Sequence, residues 1–291
     1  MGFYIISGKQ ITIKLYTFTN ILLTKTSFML NKNVIPSLLI FFIFLISITS
    51  VSGQRSLTVE KTISGGLMKY YISLPKGWKK DKKWPVIIAV EAAEKEFKLN
   101  AVRFSEAAAL TPYIIVSPVI VSNGNSGRRN AVVYPYSTET WDKIDAMSDC
   151  VFDIEGVKQI IKDVAKDYNG EEKVYFTGFE AGTHLAWTFT FKYPEILNGV
   201  AIVAGNFKGR CVDTGAISGN SARITLPIHN IIGSKDGFYG KQGRNYYQWE
   251  NAKQLAKDHG YQNITEVIIQ DAEHTSLPKN VVEYFETLRK K

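Results

Sequence analysis

Cysteine is scarce in this chain: Cys150 and Cys211 are the two among 291 residues. In an oxidising compartment an even pair reads as one disulfide; the alternative is two separate buried thiols. Glycine and proline, at 22 and 9, are too few for a collagen-like or low-complexity protein. A hydrophobic share of 45% beside 21% charged residues excludes a wholly disordered chain. No Lys/Arg cluster with interleaved aromatics is present, which argues against a nucleic-acid partner. Internal repeats and interdomain linkers are missing too, so the expectation is a single large domain with a sizeable core.

Acidic residues are absent from the first 53 positions, which hold Lys9, Lys14, Lys25 and Lys32. The formal net charge of +8 therefore falls to +4 beyond them. Val34 to Val51 is uncharged and apolar apart from Ser and Thr. Small residues follow, Val51-Ser52-Gly53, of the kind a signal peptidase accepts. The expectation is a signal peptide over 1–53, cleaved after Gly53, and a folded domain over 54–291. Met29 would give a compact start to such a peptide. An uncleaved anchor is the alternative, because 18 apolar residues are just enough to span a bilayer. Both readings make the domain secreted, periplasmic or otherwise extracytoplasmic, with membrane contact only if the leader stays. Asn263-Ile264-Thr265 is a glycosylation sequon.

Beyond the leader, strands and helices alternate. Residues 57–63 and 68–75 read as an antiparallel pair around Ser64-Gly65-Gly66. Continuous apolar runs at Trp84–Val90 and Tyr113–Val116 read as strands buried on both faces. Glu91–Leu110 reads as mostly helix and 122–138 as a long polar loop. Phe152–Tyr168 carries Val157, Ile160, Ile161 and Val164 at helical spacing. Strands are expected at 173–177, 200–204, 228–232 and 265–269, and helices at 181–193, 246–259 and 280–290. The fold class is α/β, with one doubly wound, mostly parallel sheet. Ligands of such sheets bind at the carboxyl ends of the strands.

At one such end stands Gly178-Phe179-Glu180-Ala181-Gly182, between a strand and a helix. This is the context of a nucleophile elbow, whose glycines permit a tight turn, but with Glu180 in place of serine. Asp236 follows a later strand and His274 the last one, in the order elbow, acid, histidine.

The chain resembles the secreted α/β-hydrolases related to polyhydroxybutyrate depolymerases and feruloyl or acetyl-xylan esterases. The likeness runs from Tyr70 to the carboxyl end. It is carried by Tyr71-Ile-Ser-Leu-Pro-Lys-Gly-Trp78, Ser148-Asp-Cys-Val-Phe152, Tyr193-Pro194 and Val203-Ala-Gly205 as an ordered set. The resemblance implies Asp236 and His274 as the remaining pair of a triad. It also implies a polyester, glycan or aromatic-ester ligand and no cofactor or metal.

Two departures bear on activity. The nucleophile position is Glu180. The family's His-Gly-Gly segment, which helps build the oxyanion hole with the residue after the nucleophile (here Ala181), is Glu91-Ala92-Ala93. Alanines hinder close backbone approach, and Glu91 brings negative charge towards a place meant for an oxyanion. The extra glycine that often follows the elbow is Thr183. Both losses fall on one reaction step, so the expectation is an esterase-like protein without serine-esterase activity, a binding or degenerate member. The alternative is an active hydrolase in which Glu180 attacks an sp³ carbon or serves as base, assisted by His274 and Asp236. A third reading gathers Glu91, Glu94, Glu180, Asp236, Glu273 and His274 around a hard cation. Glu180 also has an inert reading as a carboxylate at a helix amino terminus, and His274 one as a structural partner of Asp236. His184 and His229 read as structural. Trp141, Phe238, Tyr239, Tyr246, Tyr247 and Trp249 are expected near the sheet's upper edge, as ligand-stacking groups, lid or core.

Overall fold

The computed structural model describes residues 57–124, 126–238 and 243–290. The expected signal peptide, its expected cleavage position and Tyr239 lie outside the described residues. No helix among the described residues is long and apolar enough to cross a membrane.

Eight strands form one sheet in the order β1-β2-β4-β3-β5-β6-β7-β8. β1 (Thr58–Thr62) and β2 (Lys69–Ser73) pair antiparallel, and β2 continues antiparallel onto β4 (Ile114–Pro118). All the other pairings are parallel. They join β4, β3 (Val86–Val90), β5 (Val174–Phe179), β6 (Leu197–Val203), β7 (Ile228–Gly233) and β8 (Ile264–Ile269). The antiparallel opening pair and the parallel remainder agree with the alternation in the sequence.

The apolar runs are continuous because both faces of the central strands are covered. Val86, Ile88 and Val90 of β3 enter the larger core, with Val200 and Ile202 of β6. Ile87 and Ala89 point the other way, with Ala201 and Val203. This is the two-residue period of a strand used twice. The helices are α1 (Phe97–Ala107), α2 (Thr138–Met147), α3 (Asp149–Tyr168), α4 (Thr183–Lys192), the short α5 (Ala222–Thr225), α6 (Arg244–Asp258) and α7 (Pro278–Arg289).

α4 follows β5 and is buried over Thr183–Phe191. A helix closed in on all sides must satisfy its polar groups internally. Thr188 and Thr190 do so by donating to the His184 and Ala186 carbonyls, each at 2.8 Å. α3 starts at Ser148, whose side chain accepts from the Val151 N–H, and stops at Asn169 in the left-handed region. Its buried Asp153 accepts from the backbone N–H groups of Val121 and Ser122, so it pins the segment that leaves β4. Burial pushes that carboxyl up to about 7.

Two sequence expectations need correction. Residues 91–96 are not helix; α1 begins only at Phe97. The polypeptide there turns tightly, with Lys95 at φ 59° and its Nζ donating to the Ala93 carbonyl at 2.8 Å. Asn123 Nδ2 also donates to the Ala92 carbonyl at 2.6 Å. The long loop is likewise followed by a helix that period counting missed, α2, capped by Ser137 accepting from the Thr140 N–H. Trp141 on α2 is core rather than lid. Its ring is edge-on to Tyr134 and Tyr136.

Candidate active site

β5 ends against α4 in the turn Glu180–Gly182. Glu180 has φ 46°, a left-handed conformation that a non-glycine residue enters at a cost of about 1–3 kcal/mol. Close packing over-determines it. A Cβ on Gly178 would lie 2.6 Å from the Gly182 carbonyl oxygen. One on Gly182 would lie 2.6 Å and 2.7 Å from the Glu91 and Val90 carbonyl oxygens. Only two bare glycines allow this turn to nest between the end of β3 and α4. Thr183 Oγ1 lies 2.6 Å from both the Glu180 and the Asn206 carbonyl oxygens, and its single proton serves one at a time. Thr183 therefore fastens the elbow to the segment after β6.

The Glu180 carboxylate does not project free. Its Oε2 accepts from the Ala181 N–H, and its Oε1 accepts from Asn206 Nδ2 at 2.8 Å. Asn206 is itself held, since Gln248 Nε2 donates to its Oδ1 at 3.2 Å. Gln248 Oε1 accepts from the Phe207 and Lys208 N–H groups at 2.7 and 3.0 Å. Asn245 Nδ2 donates to the carbonyl of Ala204, a second left-handed residue. Asn206, Gln248 and Asn245 were not foreseen. The signal for Asn206 was its place two residues after Ala204, at the carboxyl end of a buried strand.

Asp236 lies in the turn after β7, and its side chain is fully buried. Its Oδ1 accepts from the Phe238 N–H at 2.9 Å, and its Oδ2 lies 2.8 Å from His274 Nδ1. The turn after β8 is brought alongside by backbone bonds from Ser234 N–H to the Ile269 carbonyl and from Lys235 N–H to the Ala272 carbonyl. The rings of Phe179 and Phe238 flank the imidazole, each with its centroid 4.9 Å away. The hydrogen bond to Asp236 raises the His274 pKa above the ordinary histidine value, and Glu180 and Glu94 add to it while partial burial opposes. The sign follows from linkage. The pair contributes stability below the unfolded-state value and loses it as pH rises through the folded-state value. In an NMR titration of the imidazole protons, His274 is expected to titrate above pH 6.5, and lower in Asp236→Asn.

Glu91 is buried at the end of β3. Burial pushes its carboxyl up to about 7; the Ala92 N–H, which faces it, pulls back, and Glu94 pushes further up. Glu94 and Glu273 are exposed. Among the described residues no group of three or more His, Cys, Asp and Glu is placed to hold a metal ion. This corrects the reading that gathered the carboxylates around a hard cation: Glu91 turns inward while Glu94 and Glu273 face solvent.

Cys150, in the first turn of α3, is joined to Cys211 in the segment after β6. His184 is buried and held down at about 4 by burial, with Arg210 adding, and its Nδ1 has no partner among the described residues. His229 stacks on Tyr284 with centroids 4.2 Å apart and is bonded to Thr265. Trp249 is core, donating to Glu266. Phe238 and Tyr247 are exposed.

A mostly parallel sheet with an elbow after β5, an acid after β7 and a histidine after β8 defines an α/β-hydrolase fold, and this chain has it. No protein-family model matches the chain, and no curated protein does. Solved structures do. A thermostable esterase superposes with a TM-score of 0.55 at 16% identity, covering 81% of this chain and 63% of that one. This chain therefore spans less than two thirds of that esterase's length. Poly(aspartic acid) hydrolase-1 from Sphingomonas sp. KT-1 gives 0.57 at 11% identity, covering 81% of this chain and 100% of that one. A candidate dienelactone hydrolase from Klebsiella pneumoniae subsp. pneumoniae gives 0.52 at 16% identity, with 81% and 98% covered. At such identities the likeness shows the fold alone.

Proposed function

We propose that this chain is an exported, esterase-like binding protein that has lost serine-esterase chemistry. Its kin would be the polyhydroxybutyrate depolymerases and feruloyl or acetyl-xylan esterases, and its ligand a polyester, glycan or aromatic ester. One observation carries the reading. In this fold the oxyanion is held by the N–H after the nucleophile and an N–H from the loop after β3. Here the Ala181 N–H donates to Glu180's own carboxylate, and the Ala92 N–H faces Glu91. The Glu180 carboxylate thus occupies one donor that a transition-state oxyanion would need, and the buried Glu91 carboxyl lies beside the other, so acyl transfer is opposed rather than aided. Export rests on the apolar run Val34–Val51 and the small residues up to Gly53.

The second reading, an active hydrolase using Glu180 with His274 and Asp236, is favoured by the 2.8 Å bond between the last two. That bond orients an imidazole as a general base requires. A panel of p-nitrophenyl acetate, a feruloyl ester and a haloalkane, tested on the protein and on His274→Ala, separates the two. The binding reading expects no turnover by either. Turnover that disappears in His274→Ala would replace it with the hydrolase reading.

A further inference from the structure

A cleft of about 440 Å³ opens at the other end of the sheet, away from Glu180. It is bounded by residues that precede β3, β5 and β6 and by the second half of α3, so it lies at the amino ends of the parallel strands. Its floor is apolar, formed by Ile161, Ala165 and Ile196. Its rim carries four lysines, Lys83, Lys158, Lys162 and Lys166, against one acid, Glu172.

The lysines are not equivalent. Lys158 is paired with Glu155 at 3.0 Å and lies over the Tyr193 ring, and Lys83 Nζ donates to the Gly170 carbonyl at 3.3 Å. The ammonium groups of Lys162 and Lys166 have neither a hydrogen bond nor an ion pair among the described residues. They stand four residues apart on α3, where like charges face each other and repel. An anion at the rim would relieve that repulsion. The cleft's volume is that of a small-molecule site, and its apolar floor asks for an apolar body. A neutral apolar ligand would leave the ammonium groups uncompensated, and an extended polyanion would leave the floor unfilled.

We propose that this cleft is a second binding site, separate from the elbow, for a small amphiphilic carboxylate: an alkyl chain on the floor of Ile161, Ala165 and Ile196, its carboxylate between Lys162 and Lys166. The site is independent of whether Glu180 supports turnover.

Calorimetric titration of decanoate into the full chain tests it. Saturable binding is expected. The neutral decanamide should bind at least about tenfold more weakly, because it lacks the charge the lysines compensate. Lys162→Glu with Lys166→Glu should weaken decanoate binding by at least about tenfold, and the charge-removing pair Lys162→Gln with Lys166→Gln by less. Ala165→Trp keeps every lysine but fills the floor, and should abolish binding. All of these variants keep the apolar leader, so decanoate held by the leader would be unaffected by them. The proposal is overturned by absence of saturable binding, by equal affinity for decanamide, or by an affinity that the lysine pairs and Ala165→Trp leave unchanged.

Discussion

Glu180→Ser alone is expected to hydrolyse p-nitrophenyl acetate barely above background, whereas Glu180→Ser combined with Glu91→Ala is expected to be about 10²-fold faster. The single change places a hydroxyl at the elbow, where the His274–Asp236 pair is already joined. It also frees the Ala181 N–H, which now donates to the Glu180 carboxylate. The second donor is still compromised, because the Ala92 N–H faces the buried Glu91 carboxyl. One missing oxyanion donor typically costs about 10²–10³ in rate, and removing Glu91 returns that donor. Initial rates at saturating ester for the two variants, with His274→Ala added to each as a control, check this. Equal rates would show that the Ala92 N–H is not the second donor.

Replacing Cys150 and Cys211 together by alanine is expected to lower the unfolding free energy by about 4 kcal/mol. The cysteines are 61 residues apart. Cross-linking a loop of that length removes much of the unfolded chain's freedom, and the entropic cost grows with the logarithm of loop length. For a domain of this size the melting temperature should fall by roughly 10 °C. The bond also closes the segment after β6 against α3, and that segment contains Asn206, the residue that holds Glu180. Denaturant titrations of the double variant and of the protein, both without reductant, give the difference. A shift below about 1 kcal/mol would mean that the unfolded chain is already restricted or that the bridge is strained.

Most strands were legible because a strand buried on both faces leaves a local trace. The runs at 84–90 and 113–116 are continuous apolar stretches, and β3 and β4 begin within them. Glu91–Glu96 misled because Glu, Ala and Lys are good helix formers. Local preference is overridden there by Asn123 and by the elbow glycine, Gly182, pressed against the Val90 and Glu91 carbonyls. α2 was missed because only Trp141 and Ile144 of its ten residues are buried, too few to set a helical period. The aromatics near the sheet's edge could not be sorted from sequence, since Trp141 and Trp249 are buried while Phe238 and Tyr247 are not.

The sequence by itself determined the α/β class and the glycine-bounded turn that sets Glu180 between a strand and a helix. It also determined the order of Asp236 and His274 behind it. These are properties of neighbours in the chain, written in apolar periods, glycine spacing and residue identity. Tertiary structure alone decided that the Glu180 carboxylate lies on the Ala181 N–H and on Asn206. It likewise decided that Asp236 meets His274 across two turns, and that lysines from α3 and from the segment before β3 share one cleft. Those arrangements join segments tens of residues apart. Their energies depend on distance, burial and orientation, which come into being only when the sheet brings the ends of its strands together.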